Sequence, residues 1–233
     1  YVYPFRYLEE VPVKVSVSEL KKRGWQDDEV LQMVPEDTDT ETEAEMPVPG
    51  FMKASGEEYR GAARGTAYHR VMECLDYLQV ETDEQLKKQL ERLVESQKLS
   101  EQERDCIRIL DIRRFVDSGL GQRMKNAAVQ RRLYREQPFV IQRSAAMLDP
   151  LWQEETVLVQ GIIDAYFVED GEIVLVDYKT DRVRRGQEQK LIDLYHVQLE
   201  DYAQALERMT GKKVKEKIIY SFTLQKEIIL QEK

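Results

Sequence analysis

Hydrophobic positions along the chain switch between a helical period and a strand period, and the switches divide it into elements. Tyr68, Val71, Met72 and Leu75 recur three and four apart, which predicts a helix over 66–78. Thr82 with Gln85, and Ser100 with Glu103, are capping-box pairs that predict helix starts there, the first helix reaching about Gln97 and the second about Asp117. A further helix is expected over 120–127. The period then drops to two over 131–142, where Leu133, Arg135, Gln137, Phe139 and Ile141 alternate with Tyr134 and Val140. Pro138 inside that run implies an edge, a bulge or a strand end. Asp149-Pro150 marks a turn, a helix is predicted over 193–209 with Gly211 at its end, and strands over 214–222 and up to Leu230 close the chain. Upstream, 11–17 reads as extended and Ser18 as the N-cap of a short helix to about Gly24.

The strongest pattern lies between these elements, over 161–180. Two runs rich in β-branched and aromatic residues flank Asp170-Gly171, the dipeptide that favours a two-residue type I′ hairpin turn. Stepping back equally along both strands from that turn sets Asp164 opposite Asp177, and alternation puts Lys179 on the face of Asp177. Like charges directly opposite each other are destabilising unless a cation lies between them, and carboxylate oxygens suit Mg²⁺ or Mn²⁺. A solvated face with a cross-strand ion pair is the plainer alternative. Ile162, Ile163, Phe167, Ile173, Val174, Leu175 and Val176 weigh against it, because they put apolar residues on both faces of the strand pair.

Charge distribution modifies this picture more than the net charge of −9 does. Glu36, Asp37, Asp39, Glu41, Glu43 and Glu45 form an acidic run without Lys or Arg, and the rest of the chain then carries only −3. The expected organisation is an N-terminal segment over 1–35 that links to a missing upstream region and packs on the rest, a flexible acidic linker over 36–50, and a main domain over 51–233. A first residue Tyr1 rather than Met fits an excised piece. Basic residues cluster just after the hairpin at Arg182, Arg184, Arg185 and Lys190, where they could hold phosphates.

Several classes are excluded or disfavoured. Cys74 and Cys106 are the only cysteines and make neither a disulfide framework nor an iron-sulfur site, so a reducing cytosol is the simplest setting. Phosphate-loop, dinucleotide and serine-hydrolase signatures are missing, so no nucleotide site is expected in this stretch. No membrane span or signal peptide is visible.

Gly65-Thr-Ala-Tyr-His69, Gly161-Ile-Ile-Asp164, Val176-Asp177-Tyr178-Lys179-Thr180 and Gln198-Leu-Glu-Asp-Tyr202-Ala occur in that order. Together they resemble the RecB-like branch of the PD-(D/E)xK nuclease superfamily, most closely the C-terminal nuclease domains of AddA-type helicase-nucleases. The resemblance implies a mixed α/β fold with a restriction-endonuclease-like core, a central twisted sheet flanked by helices. It implies metal ligands at His69, Asp164, Asp177 and the Tyr178 backbone carbonyl, and a catalytic Lys179 beside Asp164 and Asp177. Gln198 and Tyr202 match the family's active-site helix motif, and Glu136 matches an acidic residue preceding Pro-Phe in such domains. The implied cofactor is Mg²⁺, with Mn²⁺ able to substitute. The implied activity is hydrolysis of DNA phosphodiesters, as an exonuclease within an ATP-dependent helicase-nuclease for double-strand break processing and recombinational repair. Expected partners are DNA, as a single strand, an AddB-type protein in a heterodimer, and the helicase region of the same full-length chain, in a bacterial cytoplasm. The competing reading is a catalytically silent nucleic-acid-binding or assembly module with the same fold. Retention of Asp164, Asp177 and Lys179 disfavours it.

Overall fold

A computed structural model describes residues 11–17, 19 and 50–231, without the side chains of 50–60 and 62. The expected short helix after Ser18 and the acidic linker therefore lie outside the described residues. Six strands form one mixed sheet: β1 (Lys14–Ser16), β2 (Leu133–Ser144), β3 (Thr156–Glu169), β4 (Glu172–Lys179), β5 (Val214–Ser221) and β6 (Lys226–Leu230). Helices α1 (Gly50–Cys74), α2 (Asp83–Glu95), α3 (Glu101–Asp105), α4 (Ile109–Asp117) and α5 (Gly119–Val129) lie between β1 and β2 in the chain, and α6 (Glu188–Thr210) joins β4 to β5. Because β4 and β5 are parallel, the chain must cross over between them, and α6 is that crossover.

The central hairpin has the expected register. Asp170 and Gly171 both take positive φ, 55° and 87°, and the ladder runs from Glu169 opposite Glu172 to Ala165 opposite Val176. Both faces of β4 are covered, as its continuous apolar run requires. Val174, Val176 and Tyr178 pack with Tyr68, Val71 and Met72 of α1 and with Phe115 of α4. Ile173 and Leu175 face the other way, into a second core with Leu191, Tyr195, Leu199 and Tyr202 of α6.

Strand β3 changes face midway, and this creates the site. Ala165 and Phe167 belong to the first core, yet Ile163, Val159 and Val157, which share their parity, belong to the second. The reversal falls at Asp164, where the β2–β3 ladder skips the Glu136–Asp164 step and Glu136 takes a φ of 48°. Pro138 lies two residues on, in a strand that pairs only with β3, which agrees with the edge or bulge predicted there. Beyond the break, Phe139 lies across Gly161, where any Cβ would come within 2.7 Å of the ring. Glycine is therefore required at that position.

Three helices differ from expectation. Helix α1 begins at Gly50, sixteen residues before the predicted start at Thr66, since no proline interrupts 50–74 and the glycines within it do not stop it. The predicted 101–117 helix is two, α3 and α4, because Arg108 is extended and donates its amide to the Tyr68 hydroxyl at 3.3 Å. That contact brings α1 against the turn and buries Ile107. Helix α6 begins at Glu188, five residues before its predicted start.

Candidate active site

The site lies where β3 and β4 part. Past Ala165 and Val176, β4 continues against β5 alone, while β1 takes up the β3 edge over 158–160. The Tyr178 amide loses its β3 partner and donates instead to Asp164 Oδ2, at 2.8 Å. A side chain thus replaces a ladder rung, and the carboxylate is fixed at the gap. Asp164 and Asp177 face each other across this opening rather than across a closed ladder.

From one side α1 contributes His69, whose Nδ1 is 3.3 Å from Asp164 Oδ1. Helix α1 can come this close because Gly65 lies against Thr180, where a Cβ would be 3.3 Å from Oγ1. Glu136 reaches the same spot from the break in β2. One ligand atom each from His69, Glu136 and Asp164 lies within 4.8 Å of the other two. Gly65, Thr66, Arg70 and Glu73 complete an open cavity of about 360 Å³ around them.

On the α6 side, Asp177 is wholly buried. Its Oδ2 lies 2.6 Å from Lys179 Nζ without a well-aligned hydrogen bond, and its Oδ1 accepts from Gln198 Nε2 at 3.1 Å. The Gln198 amide also reaches the Tyr202 hydroxyl at 2.9 Å, so the two α6 residues act as a unit on one helix face.

The neighbouring carboxylates are driven apart in acidity. Burial pushes Asp177 up to about 6, against the Lys179 charge and with added repulsion from Asp164. Asp164 is buried too, but the His69 hydrogen bond and charge hold it below the usual carboxylate range. The same contact outweighs burial at His69 and raises the imidazole above its ordinary value. Glu136 is raised, first by burial and then by the Asp164 charge. At Lys179 burial favours the neutral amine, yet Asp177 and Asp164 more than offset it and keep the ammonium charged. Such divergence between adjacent acids is common at functional sites.

Most predicted site residues therefore converge. His69, Glu136, Asp164, Asp177, Lys179, Gln198 and Tyr202 surround one opening, and Tyr178 joins them through its amide. The spacing reading paired Asp164 with Asp177 as ligands, whereas the tightest group of ligand atoms is His69, Glu136 and Asp164. Arg182, Arg184 and Arg185 lie in the loop after β4, outside the cavity lining. Cys74 and Cys106 are free thiols, half-buried rather than buried as expected. The residues that sequence reading missed are Tyr195 and Asp181: the Tyr195 ring lies under Lys179 Nζ at 4.3 Å, and its hydroxyl donates to Asp181. A helical step of three from Tyr195 to Gln198 was the only signal for it.

The oxygen-rich donor set, with one imidazole, fits a hard divalent metal. Three acids crowd against one ammonium and one imidazole, and Asp177 Oδ2 has no aligned donor.

Residues 47–232 match the model of the PD-(D/E)XK nuclease superfamily. Among curated proteins, the chain is similar to the AddA component of the ATP-dependent helicase/nuclease of Clostridium perfringens, at 35% identity over 97% of the chain. The same-named proteins of Clostridium beijerinckii and Alkaliphilus metalliredigens are 36% and 37% identical over 98% and 94% of it. The chain spans only 19% of the length of the first of these relatives and 18% of the other two.

Proposed function

Because this chain belongs to the PD-(D/E)XK nuclease superfamily, we propose that it is a divalent-metal-dependent deoxyribonuclease domain whose active site is the opening between β3 and β4. The observation that carries the reading is the gathering of His69, Glu136 and Asp164 ligand atoms within 4.8 Å, beside the Asp177–Lys179 pair. His69, Asp164 and Asp177 would hold Mg²⁺ or Mn²⁺ with the Tyr178 carbonyl, and Glu136 is near enough to share that role. When bound, the metal supplies a Lewis acid to a phosphoryl oxygen and to water.

The chain's own groups have separate tasks. The Lys179 ammonium orients the attacking water and offsets negative charge as it builds on the phosphate. Gln198, braced by Tyr202, holds Asp177 through Oδ1. The Tyr178 amide and the His69 imidazole fix both oxygens of Asp164. Arg182, Arg184 and Arg185 form no ion pair with a described residue and are available to backbone phosphates beside the opening.

By likeness to relatives named as parts of an ATP-dependent helicase/nuclease, the domain works within a larger ATP-driven assembly. There it acts as an exonuclease on single strands, with a helicase region in the same full-length chain and an AddB-type partner, in double-strand break repair in a bacterial cytoplasm. The described helices include none long and apolar enough to cross a membrane. The boundaries proposed for the nuclease domain are 51–233, with 36–50 as linker. Pairing of β1 with β3 supports the packing of the 1–35 segment on that domain.

The test is cleavage of labelled single-stranded DNA by the full-length protein with Mg²⁺, Mn²⁺ or EDTA. Metal-dependent cutting that Asp177→Ala and Lys179→Ala abolish supports the reading. No cutting, together with no metal binding by calorimetry, moves the chain to the silent binding module.

A further inference from the structure

Lys179 has a second set of neighbours that the ligand cluster does not explain. Its ammonium is sandwiched between Asp177 Oδ2, at 2.6 Å, and the face of the Tyr195 ring, at 4.3 Å from the centroid. Tyr195 is buried on α6, and its hydroxyl donates to both oxygens of Asp181, each at 2.9 Å. Asp181 follows Lys179 by two residues at the exit of β4. A free carboxylate there would compete with Asp177 for the ammonium. Instead the Tyr195 hydroxyl engages Asp181, and the ion pair of Lys179 is with Asp177.

We propose that Asp181 and Tyr195 are positioning residues for Lys179: the ring is a cation-binding shelf that directs the ammonium toward Asp177 and the opening, and Asp181 anchors the ring through its hydroxyl. The inference rests on the reading of Lys179 as catalytic. The physical basis is the attraction of an aromatic face for a desolvated ammonium, together with the loss of rotamer freedom when a long side chain is held on both sides. Neither Tyr195 nor Asp181 lines the cavity. Their effect therefore passes through the lysine alone.

The experiment is a double-mutant cycle in the full-length protein, read as kcat and KM for cleavage of a labelled single-stranded oligonucleotide. Tyr195→Leu, which removes the ring, is expected to lower kcat about tenfold with KM within about twofold. Tyr195→Phe keeps the ring and should retain most of the rate, and Asp181→Asn, which can still accept the hydroxyl, should rescue what Asp181→Ala loses. In the Lys179→Ala background, Tyr195→Leu should cost nothing further. Equal losses in both backgrounds overturn the proposal, since Tyr195 would then act on the fold and not on the lysine.

A second readout separates this failure from failure of the site assignment. With ¹³C at lysine Cε, the Lys179 signal, assigned with Lys179→Arg, should be displaced upfield by the ring in wild type and in Tyr195→Phe, and should return to the ordinary lysine position in Tyr195→Leu. A displaced signal with full activity in Lys179→Ala would overturn the catalytic reading while leaving the shelf in place. An ordinary signal in wild type overturns the shelf itself.

Discussion

Each end of the central hairpin brings acids together, and the two ends resolve the conflict differently. At the turn, Glu169 faces Glu172, with Glu216 of β5 close by. Arg123 donates to both Glu169 and Glu216 over 2.7–3.0 Å, and Lys215 adds a bond to Glu169 at 2.8 Å. Those hydrogen bonds, led by Arg123, hold Glu169 down to about 2. At the open end, Asp164, Asp177 and Glu136 meet only Lys179 and an imidazole, and burial lifts Asp177 to about 6. The turn neutralises its acids with permanent cations from its own chain. The open end leaves acids for a cation from outside, so its charges serve binding and the turn's serve folding.

The largest expected effect breaks the open end. Asp164→Asn keeps the shape and an acceptor for the Tyr178 amide but removes the charge. It should lower kcat by about 10²–10³-fold or more, while the denaturant midpoint stays close to wild type. Comparable loss of activity and of stability would mean that this carboxylate is structural, like its counterparts at the turn.

Arg123→Met applies the opposite test. It strips the cation from Glu169 and Glu216 and from the Phe167 face, over which the guanidinium lies at 5.4 Å. The guanidinium is partly exposed, so the expected loss is about 1–2 kcal/mol in urea unfolding, discounted for screening. Cleavage per folded molecule should not change. A fall in kcat would show that the two ends are coupled.

How much of this contrast was legible from the sequence depended on how local each feature is. Asp170-Gly171 and strict alternation specify the register, so Asp164, Asp177 and Lys179 could be placed from spacing alone. The capping pairs at Thr82 and Ser100 form as read, with reciprocal bonds at Gln85 and Glu103. What could not be read depends on contacts between distant segments. The Glu136–Asp164 break arises from two strands skipping the same step, and it alone brings Glu136 to His69. The division of the 101–117 helix depends on a Tyr68 hydroxyl some forty residues away. Tyr195 gave only a helical spacing, because its meaning comes from a lysine on another element.

Acid titration sharpens the comparison further. A carboxyl group lowered in the folded state contributes stability above its unfolded value, near 4.3, and loses it as pH falls through the folded value, here about 2. Wild type should therefore exceed Glu169→Gln in stability at pH 6, and the two curves should converge between about pH 4 and pH 2. Curves separated by a constant amount down to pH 2 would mean that the Arg123 contact is set by packing and not by charge.

The smallest effect should carry the opposite sign. Glu136 has no cation of its own, is raised by burial and by Asp164, and sits in a left-handed backbone conformation. Its ionisation near neutral pH opposes folding, so Glu136→Gln should raise stability by about 0.5 kcal/mol, at constant backbone strain. The gain should appear in EDTA and vanish or reverse in millimolar Mg²⁺, because an external cation compensates the carboxylate but not the amide. If Glu136→Gln were equally stabilising with and without metal, Glu136 would not share the site's cation, and the open end would reduce to His69, Asp164 and Asp177. A gain confined to EDTA would instead identify Glu136 as an acid kept charged for binding at a cost in folding, the reverse of Glu169 at the other end of the same hairpin.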